Sequence, residues 1–243
     1  MGSQVSAMRE TVPLISLPIP AFSGVRVVHL ADVAALGSNL SSPLKGGEQA
    51  VFASLASEKR KTSFVAGRVV ARRCVVALLE VEGREREAND LEITRDPDGR
   101  PQVFQNGRLL DIAVSISHGG ELAAAVAARG CRVGLDVEPV TEKAARLRER
   151  IASPEERALV EGAVEGGAAL GVIYTRLFSA KEAMAKCRGS HLFHALVHYR
   201  VTAVEPERLW LEDASAPGGP VFGVVTEVYR DHVFSLFRAE PGP

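Results

Sequence analysis

One short stretch restricts the fold more than any other. Cys131-Arg132-Val133-Gly134-Leu135-Asp136-Val137-Glu138-Pro139 alternates as a β-strand does. Val133, Leu135 and Val137 point to one side, and Gly134, Asp136 and Glu138 to the other, because successive strand side chains alternate faces. Two acids on one strand face repel each other and cost stability unless something cationic sits between them. The positive charge that this strand needs must come from elsewhere in the chain.

The segment FSAKEAMAK (178–186) supplies both a further acid and a cation. Phe178, Glu182 and Lys186 are spaced i, i+4, i+8 and share one helix face. Lys181 precedes Glu182 but points about 100° away around the axis. Glu182 joins Asp136 and Glu138 as a third oxygen donor. Three carboxylates suit a hard divalent cation such as Mg²⁺, which keeps several waters and takes substrate phosphate oxygens as well. No His/Cys cluster favours zinc. Spacing alone leaves two readings open: a Mg²⁺ site, or a solvated strand edge beside an ordinary i,i+4 Glu–Lys pair.

The rest of the sequence bounds what surrounds this segment. A chain of 243 residues with 46% apolar and 24% charged residues can bury a substantial core. A formal net charge of -1 gives no whole-molecule attraction to nucleic acid or membrane, so any electrostatic function is local. Cys74, Cys131 and Cys187 form no CxxC pair, which argues against a disulfide framework and suits a reducing cytoplasm. No apolar run approaches the roughly 20 residues of a bilayer span. Residues 1–20 read as an irregular lead-in and VRVVHLADV (25–33) as a first strand. Two helices follow, the second near Ser63 to Leu79 with Phe64, Val65, Val69, Val76 and Leu79 on its apolar side. Arg68, Arg72 and Arg73 fall elsewhere on it.

LEITRDPDGRPQVF reads as a hairpin turning at Asp96-Pro97-Asp98-Gly99. Residues 111–139 read as strand, loop, strand or short helix, and strand, followed by helices, with Ser153 an N-cap, Pro154 at the first turn and Glu156 at the third position. The stretch from LVHYRVTAV onward reads as three or four strands with a PGGP turn at 217–220. The element order predicts an α+β fold with an internal duplication: subdomains at 21–113 and 114–243 after the lead-in, the second carrying the acids.

Taken together, SISHGG (115–120), VGLDVE (133–138) and FSAKEAMAK resemble the Sfp-type 4′-phosphopantetheinyl transferases. That family carries a Ser-His segment, a G-[IV]-D-[IV]-E strand and a W-x-x-K-E-[AS]-x-x-K helix in this order. Gly99-Arg100-Pro101 stands where the family has G-K-P, and RKTSFVAGRVVARR (60–73) resembles the basic helix of the enterobactin-synthetase-component-D-like branch. The resemblance covers about residues 55–190. Leu135 replaces the family's Ile or Val, and Phe178 its Trp, which keeps an aromatic anchor without the indole N–H.

The resemblance implies the phosphopantetheinyl transferase fold, two similar α/β subdomains related by pseudo-two-fold symmetry, in a cytoplasmic monomer. It implies transfer of 4′-phosphopantetheine from coenzyme A to a serine of an apo acyl or peptidyl carrier protein, leaving adenosine 3′,5′-bisphosphate. Asp136, Glu138 and Glu182 would hold Mg²⁺, Glu182 or a metal-bound water would be the general base, and Lys186 would neutralise the pyrophosphate. Arg60, Arg68 and His118, with Ser117 beside it, would hold the 3′-phosphate. Arg100 and Pro101 would lie near the nucleotide, and Lys181 would match the family's adjacent lysine. The basic run KAARLRER, with Lys143, Arg146, Arg148 and Arg150, would dock the acidic carrier. Two alternatives remain: another Mg²⁺-dependent phosphoryl enzyme acting on a nucleotide pyrophosphate, and a non-catalytic carrier-binding module.

Overall fold

The computed structural model describes residues 12–15, 17–84, 90–163, 170–216 and 218–239. The lead-in at 1–20 falls largely outside the described residues, as does Pro217 of the expected PGGP turn. The chain divides between Val133 and Gly134 into two compact units.

In the first unit the elements are β1 (Arg26–His29), α1 (Leu30–Ala34), α2 (Gly47–Ser54), α3 (Glu58–Val81), β2 (Leu91–Arg95), β3 (Pro101–Gln105), β4 (Arg108–Leu109), β5 (Ala113–Gly119) and β6 (Leu122–Ala128). They build two antiparallel sheets, ordered β1-β6-β5 and β2-β3-β4. The long helix α3 lies on the first sheet, and the run Leu122-Ala123-Ala124-Ala125 gives it a surface of small side chains to pack on. Val65, Val69, Val75 and Leu79 fill the core there with Ala123 and Ala125. Ser57 starts α3 by accepting from the Arg60 N–H at 3.3 Å, an ordinary N-cap. The expected first strand is shorter than its pattern: it stops at His29 and Leu30–Ala34 coils into a helical turn. Alternation fails at Ala31-Asp32, so no apolar face remains to continue the strand. The strands β5 and β6 pair with β1 and therefore belong to this first unit.

Strand β7 (Arg132–Pro139), which belongs to the second unit from Gly134 onward, leads into α4 (Glu142–Arg146), α5 (Arg148–Ile151), α6 (Pro154–Gly162), α7 (Leu170–Arg188) and α8 (Leu192–His198). There follow β8 (Tyr199–Glu205), β9 (Arg208–Asp213), β10 (Val221–Tyr229) and β11 (His232–Ala239), in a five-stranded sheet ordered β7-β11-β10-β9-β8. Helix α7 packs on β11 and β10 through Tyr174, Leu177, Ala180 and Met184, all fully buried. It ends at Gly189, whose φ of 73° is the left-handed stop that glycine adopts without a Cβ penalty. Ser153 and Glu156 close a full capping box at the start of α6. Each unit is thus α+β, a long helix laid on a β-sheet. Among the described residues no helix is long and apolar enough to cross a membrane.

Candidate active site

Strand β7 and helix α7 approach each other more closely than side chains would normally allow, and glycine is the reason. A Cβ at Gly134 would overlap the Ala183 carbonyl oxygen of α7 and lie 2.7 Å from the Cys187 nitrogen. The bare backbone lets the strand press against the helix backbone. Two residues on, the same strand face carries Asp136, and the helix presents Glu182 and Lys186. Oxygen atoms of Asp136, Glu138 and Glu182 all lie within 4.8 Å of one another. Lys186 donates from Nζ to Asp136 Oδ1 at 2.8 Å and stands 3.4 Å from Glu182 Oε1. Asp136 is 1% exposed, whereas Glu138 and Glu182 are half-buried.

The charges perturb one another as the geometry requires. Burial pushes the Glu138 carboxyl up to about 7, and the neighbouring Asp136 and Glu182 charges add to the rise. Burial likewise raises Glu182, again with help from Asp136. For Lys186 burial works against the charged form, but Asp136 and Glu182 outweigh it and hold the ammonium above its ordinary value. A set of three carboxylates with no nitrogen or sulfur donor fits a hard divalent cation such as Mg²⁺. The histidine run of α8 is not such a group: His194 and His198 stack at 4.4 Å between ring centroids. The acid trio is the cluster of potential ligands that converges among the described residues.

Lys181, grouped with this site by its place in the motif, does something else. It is fully buried, and its Nζ lies 2.9 Å from Glu156 Oε1 and donates to the carbonyls of Ile151 at 2.8 Å and Leu196 at 3.4 Å. An ammonium has three protons, and these three acceptors take them. Glu156 in turn accepts from Val201 N and Ser153 N, so the pair ties α7 to α5, α6, α8 and β8.

In the first unit the basic helix is less exposed than its pattern suggests. Arg68 and Arg72 are buried on Glu48, itself 1% exposed: Arg72 pairs with Glu48 Oε2 at 2.5 Å, and Arg68 Nε is 3.8 Å from Oε1. Arg68 also stacks 4.4 Å from the Phe64 ring centroid, and burial pushes its guanidinium down to about 10. Arg60 stays exposed. His118 is exposed as well, with Nε2 donating to the Ser63 carbonyl at 2.8 Å, while Ser117 is buried. Gly67 makes room for that imidazole: a Cβ there would sit 3.0 Å from its Cε1 and Nε2. Arg100 closes the hairpin turn, its N–H donating to Asp96 Oδ1 at 2.8 Å, with Pro101 opening β3.

Two family models match adjacent parts of the chain. Residues 132–218 match the 4′-phosphopantetheinyl transferase superfamily. Residues 47–128 match the 4′-phosphopantetheinyl transferase N-terminal domain. These matches support a 4′-phosphopantetheinyl transferase. A curated relative, the holo-[acyl-carrier-protein] synthase of a Geobacillus species, is 37% identical over 79 residues, spanning 32% of this chain and 66% of the relative. The chain thus spans just under two thirds of that relative's length. A crystal structure of the holo-(acyl-carrier-protein) synthase of Bacillus anthracis in complex with CoA (3′,5′-ADP) is 25% identical. It covers 43% of this chain and 90% of its own, at a TM-score of 0.36.

Within this phosphopantetheinyl transferase fold, the superfamily match contains Asp136, Glu138, Glu182 and Lys186, and the N-terminal match contains Arg60, Arg68, Arg100, Pro101, Ser117 and His118. Sequence reasoning gave no role to Gly67 or Glu48, placed Gly134 only as a member of the acid face, and read Glu156 only as part of a helix cap. Gly134 carried a visible signal, a glycine on the acid face of a strand, which marks close approach of another backbone. Glu48 carried none.

Proposed function

We propose that the chain transfers 4′-phosphopantetheine from coenzyme A to a serine of an apo acyl or peptidyl carrier protein, as a cytoplasmic, monomeric enzyme of the Sfp-type, enterobactin-synthetase-component-D-like branch. The observation that carries this reading is the convergence of Asp136, Glu138 and Glu182 within 4.8 Å, with the Lys186 ammonium against them, inside the segment that matches the superfamily. Asp136, Glu138 and Glu182 would hold Mg²⁺, which when bound neutralises and orients pyrophosphate oxygens.

The chain's own groups account for the remaining work. The serine hydroxyl attacks the phosphorus that bears the pantetheine arm, and the bond from that phosphorus to the bridging oxygen breaks. The products are holo carrier and adenosine 3′,5′-bisphosphate. Glu182, whose carboxyl is raised by burial above its ordinary value, accepts the serine proton. Lys186 neutralises charge that builds on the pyrophosphate. Arg60, Arg68, Ser117 and His118 are assigned to the 3′-phosphate, with Arg100 and Pro101 beside the nucleotide. For Lys181 a positioning role is favoured over phosphate contact, since its protons are already taken. Lys143, Arg146, Arg148 and Arg150 are exposed on α4 and α5 and offer a basic surface to an acidic carrier helix.

Intact mass of an apo carrier after incubation with the protein, CoA and Mg²⁺ tests the reading. One added phosphopantetheine arm is expected. Consumption of CoA with an unchanged carrier would instead indicate a nucleotide-pyrophosphate hydrolase, and neither change would leave a binding module.

A further inference from the structure

The acid cluster already contains a cation, and that cation belongs to the chain. Lys186 lies one helical turn from Glu182, and a surface i,i+4 pair would draw its ammonium to Glu182 alone. It reaches instead to Asp136 on β7, which it contacts at the shorter distance, 2.8 Å against 3.4 Å. Asp136 is 1% exposed, so the ammonium has been drawn into the cluster by a buried carboxylate. The Lys186 side chain is itself 27% exposed on a flexible four-carbon stem, and its head can leave the cluster by side-chain rotation while α7 stays in place. Positive charges a few ångströms apart in a partly desolvated site repel strongly, so an ammonium on Asp136 Oδ1 and a divalent ion among the same oxygens compete.

We propose that Lys186 is a built-in counter-ion. It occupies the acid cluster before the divalent cation arrives, leaves as the cation takes its place, and is thereby freed for the pyrophosphate of coenzyme A. This rests on the metal reading above. It differs from a fixed phosphate contact, because it makes the lysine an inhibitor of metal binding in the coenzyme-free protein. The device keeps three carboxylates compatible with the folded state until ligands arrive.

Mn²⁺ alone, added to the full chain without coenzyme and followed by electron paramagnetic resonance of the free ion, is the direct test. Lys186→Met removes the charge and keeps the length; Lys186→Arg keeps the charge. Lys186→Met is expected to bind Mn²⁺ at least tenfold more tightly than the wild type, and Lys186→Arg within about twofold of it. Should Lys186→Met prove unstable without metal, thermal unfolding across a Mn²⁺ titration carries the same information. The Tm should then rise more with Mn²⁺ in the variant than in the wild type. Mn²⁺ binding by the wild type with equal or weaker binding by Lys186→Met, or a smaller Tm rise, overturns the counter-ion role while leaving the metal reading intact. No Mn²⁺ binding by either protein, even with coenzyme A present, overturns the metal reading and this inference with it.

Discussion

Replacing Gly134 by alanine probes the contact on which the whole site is built. The new Cβ would overlap the Ala183 carbonyl oxygen and sit 2.7 Å from the Cys187 nitrogen, both backbone atoms of α7. Neither can rotate away, so strand and helix must part by roughly 1 Å in a region packed at crystal density. Overpacking of this kind costs about 1–3 kcal/mol, and a backbone clash belongs at the upper end. For a chain of this size about 3 kcal/mol lowers Tm by roughly 6–12 °C. The same separation carries Glu182 and Lys186 away from Asp136. Misplacement of catalytic groups by about 1 Å costs on the order of a hundredfold in rate. Transfer to an apo carrier, measured on protein shown to be folded by circular dichroism, should therefore drop about a hundredfold. An unchanged Tm together with full activity would refute the claim that the bare backbone at 134 sets the geometry of the acids.

Asp136→Asn should abolish Mn²⁺ binding and transfer while leaving circular dichroism unchanged, and retained turnover would remove Asp136 from the site. The pH dependence of the metal-free protein has a defined sign: Glu138 is raised to about 7, so the stability it contributes is present below its unfolded value and is lost as pH rises through about 7. The wild-type Tm should accordingly fall relative to Glu138→Gln between pH 5 and 8, and Mg²⁺ should reverse the difference at pH 8. Lys181→Met leaves the Glu156 carboxylate buried without its ammonium partner and should destabilise by about 3–5 kcal/mol in denaturant unfolding. The KM for coenzyme A should stay near wild type in that variant, and a raised KM with unchanged stability would return Lys181 to the phosphates. Arg72→Ala should destabilise by a similar amount through Glu48.

The elements of the site were legible because their signals are local. Alternation marks β7, and the i, i+4, i+8 spacing of Phe178, Glu182 and Lys186 marks the shared face of α7. Convergence of Asp136 with Glu182, 46 positions apart in the numbering, is not a spacing property and was legible only through resemblance. Arg68 and Arg72 lie off the apolar stripe of their helix, so its periodicity gives no sign that they are buried. Their burial comes from Glu48 on α2, whose carboxylate also accepts from Ile93 N at 2.9 Å, a contact no helical periodicity encodes. Ser153 and Glu156 were recognised as a cap, but the further use of Glu156 as the partner of Lys181 depends on how α6 meets α7. The strand pattern at 25–33 overran β1 because a few alternating residues cannot show where a sheet ends.

A crystal of the protein grown with coenzyme A and Mn²⁺, with data collected at the manganese absorption edge, bears most directly on the account. The expected result is an anomalous peak within bonding distance of oxygens from Asp136, Glu138 and Glu182, with Lys186 Nζ withdrawn from Asp136 onto a pyrophosphate oxygen. The three carboxylates pointing apart around an empty centre, with coenzyme bound and no anomalous peak among them, would contradict it.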